Sequence, residues 1–391
     1  MPSTTGILDR SMGSAPSRED ACRIIRSPAA ALPELLHAAA ERRDAAKGRT
    51  VTYSRKVFLP LTNLCRDVCG YCTFVRQPGD PAAHTMSPDE VLEVARAGER
   101  LGCTEALFSL GDKPELKYPQ YRDWLADRGY RSTLHYLREM CALVAGETSL
   151  LPHINPGLMT AEDIASLREV SVSMGLMLES VSDRLLRRGG PHYRCPDKAP
   201  RLRLATIAEA GKQRVAFTTG ILIGIGETPE ERVDALYAIR DLHERYGHVQ
   251  EVIIQNFRAK ADTAMGTQED LSLADMLRTL AVARLILGDM NIQAPPNLMP
   301  AEYGRYLDAG INDWGGVSPL TRDFINPERA WPQIADLRAV CSEHGFDLRG
   351  RLPLYPEYIT RRPEFIPGEL AGRVAGLAGE DGLVRREAEV I

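Results

Sequence analysis

The sequence predicts an α/β chain closed into a (β/α)8 TIM-type barrel, with a helix before it and an extension after it. Three observations predict this. Short apolar runs alternate with helix-spaced segments eight times, and strands that alternate with helices form parallel sheets, which close into a barrel at eight units. The distinctive polar residues fall at the C-terminal ends of those runs, where barrels of this kind carry their sites. Three cysteines follow the first run directly. A six-unit partial barrel is the rival, because the seventh and eighth runs are short.

Residues 1–18, rich in Ser, Thr, Gly and Pro, are expected to be disordered. Leu32, Leu35, Leu36 and Ala39 recur at helical spacing up to Lys47, with Gly48 as the stop. These two pieces make an N-terminal segment, 1–50. The barrel then spans 51–362. Its first strand is read at 57–61. Ser87, Pro88 and Glu90 open a helix with a capping box. The second strand is 106–110 and the third 150–154, with a helix over 134–144 between them. Thr160 caps the next helix, its acidic partner one residue early at Glu162. The fourth strand is 175–178, a helix covers 201–210, and the fifth strand is 217–224. Thr228, Pro229 and Glu231 form another capping box, for a helix reaching Tyr246. Strands six, seven and eight are read at 252–257, 292–294 and 311–313, separated by helices at 271–287 and 301–307. A last helix, 330–343, packs outside. The Gly- and charge-rich residues 363–391 read as a surface tail.

Composition removes several classes. The net charge of −5 and the lack of a basic block argue against nucleic acid as principal partner. No eighteen-residue apolar run exists, so no membrane span is expected. The polar first twenty residues lack an apolar core, so no secretory signal is expected. Eight cysteines in 391 residues do not suggest a disulfide framework, and clustered thiols imply a reducing, cytoplasmic setting. Of the scattered cysteines, Cys195 stands out by its polar, Pro-rich loop.

Cys65, Cys69 and Cys72 stand at C-x3-C-x2-C spacing. Thiolates at this density hold a soft metal or an iron–sulfur cluster. A structural zinc or a ferredoxin cluster needs a fourth ligand, and none follows at short range; the nearest histidine is His84. Three ligands on a four-iron cubane leave one iron open to a substrate or cofactor. Zinc with a distant fourth ligand is the alternative.

This loop, with the aromatic Tyr71 just before its last cysteine, resembles the radical S-adenosylmethionine (SAM) enzymes. The resemblance implies that Cys65, Cys69 and Cys72 ligate a [4Fe–4S] cluster, that SAM chelates the unique iron and is cleaved to a radical, and that Tyr71 lies near the adenine. The stretch Ser109 to Glu115 stands in the place of the family's Gly-Gly-Glu motif, which holds the SAM ammonium. It departs from that motif: Gly111 supplies backbone, and either Asp112 or Glu115 supplies the carboxylate. Gly224 and Gly226, in Gly220 to Glu227, resemble the family's adenine-packing glycine motif; the spacing does not match a dinucleotide fingerprint, and a Gly-rich core strand is the plain alternative. Glu179 stands where relatives contact the ribose or the SAM amine, or it is a cap or ion pair. Arg184, Arg187 and Arg188 either contact the SAM carboxylate or, like His192, read as a solvated loop.

Later segments narrow the resemblance. They include Pro152 to Gly157, Ser173 to Ser180, Ile253 to Lys260, Gln293 to Leu298 and Asp313 to Pro319. Over 51–359 the chain resembles the CofG-type 7,8-didemethyl-8-hydroxy-5-deazariboflavin synthases, the second radical enzymes of deazaflavin (coenzyme F420) synthesis. The resemblance implies a substrate, the tyrosine–diaminouracil adduct, and products: the deazaflavin, ammonia, methionine and 5′-deoxyadenosine. It implies a CofH-type partner that makes the adduct, since one cluster loop and one barrel are present, and a low-potential donor such as ferredoxin or flavodoxin. Asn155, Gln255, Asn256, Gln293, Asn297 and Ser318 are the expected substrate contacts, because neutral amides pair with both donors and acceptors. Asp313 is the expected proton acceptor. His153 either orients substrate or is a hydrogen-bonded core histidine, and each strand-end residue could instead tie down a loop. The other readings are the CofH-type enzyme itself, a menaquinone-pathway or biotin-synthase type, and a non-enzymatic iron–sulfur or zinc interaction protein. Biotin synthase needs a second cluster, for which only scattered cysteines remain.

Overall fold

A computed structural model describes residues 14–385. Eight parallel strands pair in chain order: β1 (Thr50–Thr62), β2 (Glu105–Leu110), β3 (Leu151–Asn155), β4 (Ser173–Gly175), β5 (Phe217–Ile223), β6 (Val249–Asn256), β7 (Ile292–Gln293) and β8 (Asp313–Val317). β1 pairs with both β2 and β8, so the ring closes and the six-unit alternative falls. A ninth strand, β9 (Asp347–Arg351), runs beside Thr50 to Ser54 of β1, and β2 takes over the same edge from Lys56 onward. β1 is long because it serves three neighbours. Its lower half escapes a sequence search because Thr52, Ser54 and Lys56 carry polar groups on buried positions, the reverse of the usual half-buried alternation.

The helices follow their local signals. Leu32–Lys47 ends at Gly48, whose φ of 66° only glycine adopts readily. The capping boxes at Ser87 and Thr228 form as read. At Thr160 the partner is Asp163 rather than Glu162, because the third helical residue is the one that reaches back to the cap. The helix read at 301–307 shrinks to Arg305–Asp308, and the last outer helix is Ile334–Glu343. β4 ends before 176 because the chain leaves the ladder toward Glu179, which sits at φ 64°. β8 begins at Asp313 instead of ending there.

Both flanks are more ordered than expected. A helix, Arg18–Ile25, is capped by Ser17, whose hydroxyl accepts the Asp20 N–H at 3.1 Å, and it buries Ala21, Ile24 and Ile25. The rest of the expected disordered segment, 1–13, lies outside the described residues. The expected surface tail contains the helix Gly368–Leu377. Its Leu370 and Val374, with Val384, pack on Leu354 and Phe365 and on Leu151, Val172 and Ala216 at the base of the barrel. The periodicity of 370, 374 and 377 is helical, but intervening glycines dilute it. No helix among the described residues is long and apolar enough to cross a membrane.

Candidate active site

The cysteine loop leaves the top of β1 and is clamped on two sides. The Gly70 N–H donates to Pro191 O (2.8 Å), and the Met265 N–H donates to Gly70 O (3.0 Å). The end of β2 comes against the loop at Gly111, where a Cβ would lie 1.9 Å from Leu64 O and 2.7 Å from Cys65 Cβ; a glycine is required by that approach. One residue on, the Asp112 N–H donates to Cys65 Sγ at 3.2 Å. Cys65, Cys69 and Cys72 line one cavity as free thiols. Among the described residues no three Cys, His, Asp or Glu side chains gather as they would around a single ion, whereas a cluster takes its thiolates at separate corners. Burial, with Asp67 beside it, pushes the Cys65 thiol up to about 12, so a positive metal centre is what would make it a thiolate. The donor set therefore fits a cluster held by three cysteines. Cys195 is buried, and its thiol donates to Tyr193 O at 3.7 Å.

Beside the loop, Tyr71 Oη lies 3.0 Å from His192 Nε2, with the two rings edge to face. His192 is thus a buried partner and not the solvated side chain expected. Tyr71 packs against a small apolar group of Leu185, Leu222, Ile225 and Phe257. Glu179, 8 % exposed, pairs with Lys198 Nζ at 2.6 Å. Burial opposes its ionisation, but Lys198 and Arg203 outweigh burial and hold its carboxyl below the ordinary glutamate value. Lys198 lies in the segment after β4 and Arg203 in the first turns of the helix Pro200–Lys212, neither in a recognisable motif, which is why sequence reasoning missed them.

Asp112 and Glu115 differ in position. Glu115 accepts the Thr133 N–H at 3.1 Å and the Thr133 hydroxyl, so it anchors a helix start away from the cavity. Asp112 lines the cavity; its Oδ1 meets Lys113 Nζ at 3.0 Å and its Oδ2 accepts the Leu158 N–H at 3.1 Å. Gly224 and Gly226 do not line it. Both have positive φ (93° and 103°), and the turn they make wraps the Glu227 carboxylate, which accepts the N–H groups of Gly224 and Ile225. Arg184 pairs with Glu231 at the surface.

The cavity, about 360 Å³, runs from the thiols down the barrel axis. Asn155, Gln255, Asn256 and Gln293 line it, as expected. Asn256 is 1 % exposed and neither its amide nitrogen nor its amide oxygen has a partner, a costly state unless a ligand pairs with both. Gln293 Nε2 reaches Trp314 O at 3.3 Å. His153 lines the cavity too, with Nδ1 2.6 Å from Ser173 Oγ, which donates to Pro353 O. Burial brings its pKa down to about 4, so the ring is neutral; with Nδ1 donating, Nε2 carries no proton.

Three expected contacts lie elsewhere. Asn297 donates to Asp323 (3.0 Å), and the Ser318 hydroxyl bonds Thr321 (2.7 Å); both organise the loop after β8. Asp313 is fully buried at the start of β8. Arg351 grips it through Nε (2.7 Å) and Nη2 (3.0 Å), and Thr52 donates to it. Arg351 also reaches Glu251 (3.1 Å), which accepts from Thr218 (2.8 Å). Asp313 is therefore held by Arg351 in an ionic floor and does not line the cavity. The expectation came from reading the eighth strand at 311–313, with Asp313 at its end, whereas the strand begins there.

A parallel barrel with a three-thiol loop at its mouth defines a class, and residues 59–239 match the Radical SAM superfamily. Solved structures share the fold: the FeFe-hydrogenase maturase HydG of Carboxydothermus hydrogenoformans at TM-score 0.72 and 18 % identity, over 89 % of this chain and 79 % of that one, and methylornithine synthase at TM-score 0.69 and 19 % identity, over 88 % and 97 %. Sequence relatives go further. The chain is 48 % identical over 335 residues to the 7,8-didemethyl-8-hydroxy-5-deazariboflavin synthase of Methanopyrus kandleri, covering 86 % of this chain and 100 % of that one. It is 50 % identical over 390 residues to the FO synthase of Streptomyces coelicolor, covering 97 % and 45 %. The chain belongs to the 7,8-didemethyl-8-hydroxy-5-deazariboflavin synthase family of radical SAM proteins. It spans less than half the length of the FO synthase relatives it matches.

Proposed function

We propose that the chain converts the tyrosine–diaminouracil adduct to the deazaflavin, with release of ammonia, methionine and 5′-deoxyadenosine. The observation that carries this reading is Asn256: a buried amide with donor and acceptor both unpaired, on the wall of a cavity that opens at the cluster loop. A pyrimidine edge presents a matching acceptor and donor side by side. Held by Cys65, Cys69 and Cys72, a [4Fe–4S] cluster with SAM would supply the radical that abstracts hydrogen. The chain's residues do the rest. Asp112 takes the SAM ammonium, and Glu179, poised by Lys198, takes a ribose hydroxyl or the same amine. Tyr71 and its apolar neighbours form the wall nearest the adenine. Asn155, Gln255 and Gln293 join Asn256 around the substrate's polar edges. The closed ring of strands keeps water from a reactive radical. The adduct comes from a CofH-type partner and the electron from a ferredoxin or flavodoxin, in the cytoplasm.

The test is anaerobic incubation of the reconstituted protein with SAM, a low-potential reductant and the adduct, followed by chromatography. Deazaflavin, 5′-deoxyadenosine and ammonia should appear together. Free tyrosine with the diaminouracil should yield no deazaflavin until the partner is added. Deazaflavin formed from the free substrates by this chain alone, or none from the verified adduct, overturns the reading.

A further inference from the structure

At the lower end of the cavity one cation has carboxylates nearby but no direct hydrogen bond or ion pair. Lys56 faces the barrel interior from β1, because its neighbour Val57 packs outward on Gly98 of the helix Pro88–Arg100. The side chain is 7 % exposed and lines the cavity. Gly316 of β8 makes room for it: a Cβ there would lie 2.3 Å from Lys56 Cδ and 2.7 Å from Nζ. The nearby carboxylates are engaged with other groups. Glu105 takes the Ser54 hydroxyl, Glu251 takes Arg351 and Thr218, and Asp323 takes Asn297, Asn326 and two backbone N–H groups. Among the described residues Lys56 Nζ has neither a hydrogen bond nor an ion pair, only the ring of Trp331 at 4.9 Å and that of Phe58 at 5.6 Å.

Trp331 also lines the cavity, and its buried indole N–H has no acceptor. Two donors without acceptors thus stand together, and both belong to a wall of aromatic rings. A buried ammonium so placed is expensive unless an oxygen meets it. The rings set what carries the oxygen, since a flat aromatic group packs on Phe58 and Trp331 with the polar atom at its end.

We propose that Lys56 and Trp331 bind the oxygen of a phenol ring, so that the hydroxybenzyl part of the substrate points down the barrel and its pyrimidine part lies above, at Asn256. This orientation rests on the adduct reading; the phenol site itself is tested without the adduct.

The experiment uses the anaerobically reconstituted protein and two probes, p-cresol and toluene, with binding followed by ligand-observed NMR. Wild type should bind p-cresol at least about tenfold more tightly than toluene, the preference a charge-assisted hydrogen bond confers. Lys56→Met, which keeps the stem and removes the ammonium, should bind the two alike while retaining cluster iron. Trp331→Phe, which keeps a ring and removes the N–H, should lose about threefold of the preference, and it serves where Lys56→Met does not fold. Absence of a cresol preference in wild type, or an unchanged preference in the variants, sinks the phenol site. In the second arm, Lys56→Met should raise KM for the adduct at least about tenfold. An unchanged KM, with wild type turning the adduct over, removes Lys56 alone. Failure of wild type to turn over the adduct removes the functional reading and leaves the cresol result to stand or fall by itself.

Discussion

The rim and the floor of the cavity are both rich in charge, yet they are finished to different degrees. On the floor, Arg351 bridges the carboxylates of Asp313 and Glu251, and Thr52 and Thr218 donate to them as well. Every member comes from a different strand or from β9, and the result is a rigid, self-contained plug. Above it, the amide of Asn256 has a donor and an acceptor that nothing in the protein matches, and the three thiols of the loop are free of disulfides. The difference teaches how to sort buried polar groups: those that satisfy each other hold the barrel together, and those left open mark where a ligand belongs.

The largest effect expected tests the rim. Replacing Cys65, Cys69 or Cys72 by Ala should abolish the cluster, about four iron per chain, and with it reductive SAM cleavage, while Cys103→Ala and Cys341→Ala should leave iron content unchanged. Full iron in any of the first three would break the assignment. The floor should respond in stability instead. Arg351→Met strands two buried carboxylates and should cost about 3–5 kcal/mol in denaturant unfolding; a shift below 1 kcal/mol would show that the plug is not structural. Glu179→Gln should weaken SAM binding by one to two decades, about 1.5–3 kcal/mol, with iron content unaffected. Asn256→Leu separates the two regions most cleanly. It should leave unfolding stability the same or up to about 2 kcal/mol higher, since an unsatisfied amide is removed, and yet raise KM for the adduct.

The buried histidines predict a pH slope. Burial brings His153 down to about 4 and His192 and His248 to about 3. From the ordinary value of 6.5 down to about 4, the unfolded chain therefore binds protons that the folded chain refuses. Stability should rise with pH across that window and be lost as pH falls, by up to about 1.4 kcal/mol per pH unit for each histidine. His153→Gln should flatten the slope measured by urea unfolding between pH 4 and 6.5; an unchanged slope would mean that the ring is not held neutral.

What the sequence disclosed depended on how local the cause was. Helix caps, the cysteine loop and the apolar cores of β2, β3, β5 and β6 rest on neighbours a few residues apart, and all were readable. The lower half of β1 was not, because its buried Ser54 and Lys56 are explained only by Glu105 and Gly316, far along the chain. Asp313 looked like a residue above a strand end because its true partner, Arg351, lies in a strand no alternation pattern announced. Of the expected substrate contacts, those in the last residues of barrel strands (Asn155, Gln255, Asn256 and Gln293) reached the cavity. Asn297 and Ser318, beyond the two weakest strands, did not.

The position of Arg351 also bears on how the protein comes into being. Asp313 and Glu251 are made well before the guanidinium that neutralises them, and translation at ~5–20 residues per second leaves seconds between the last barrel strand and β9. Through that interval the nascent barrel has two carboxylates with no cation to close on. The ribosome thus delivers this guanidinium after all eight barrel strands, and the ion pairs of the floor cannot form until that residue has cleared the exit tunnel.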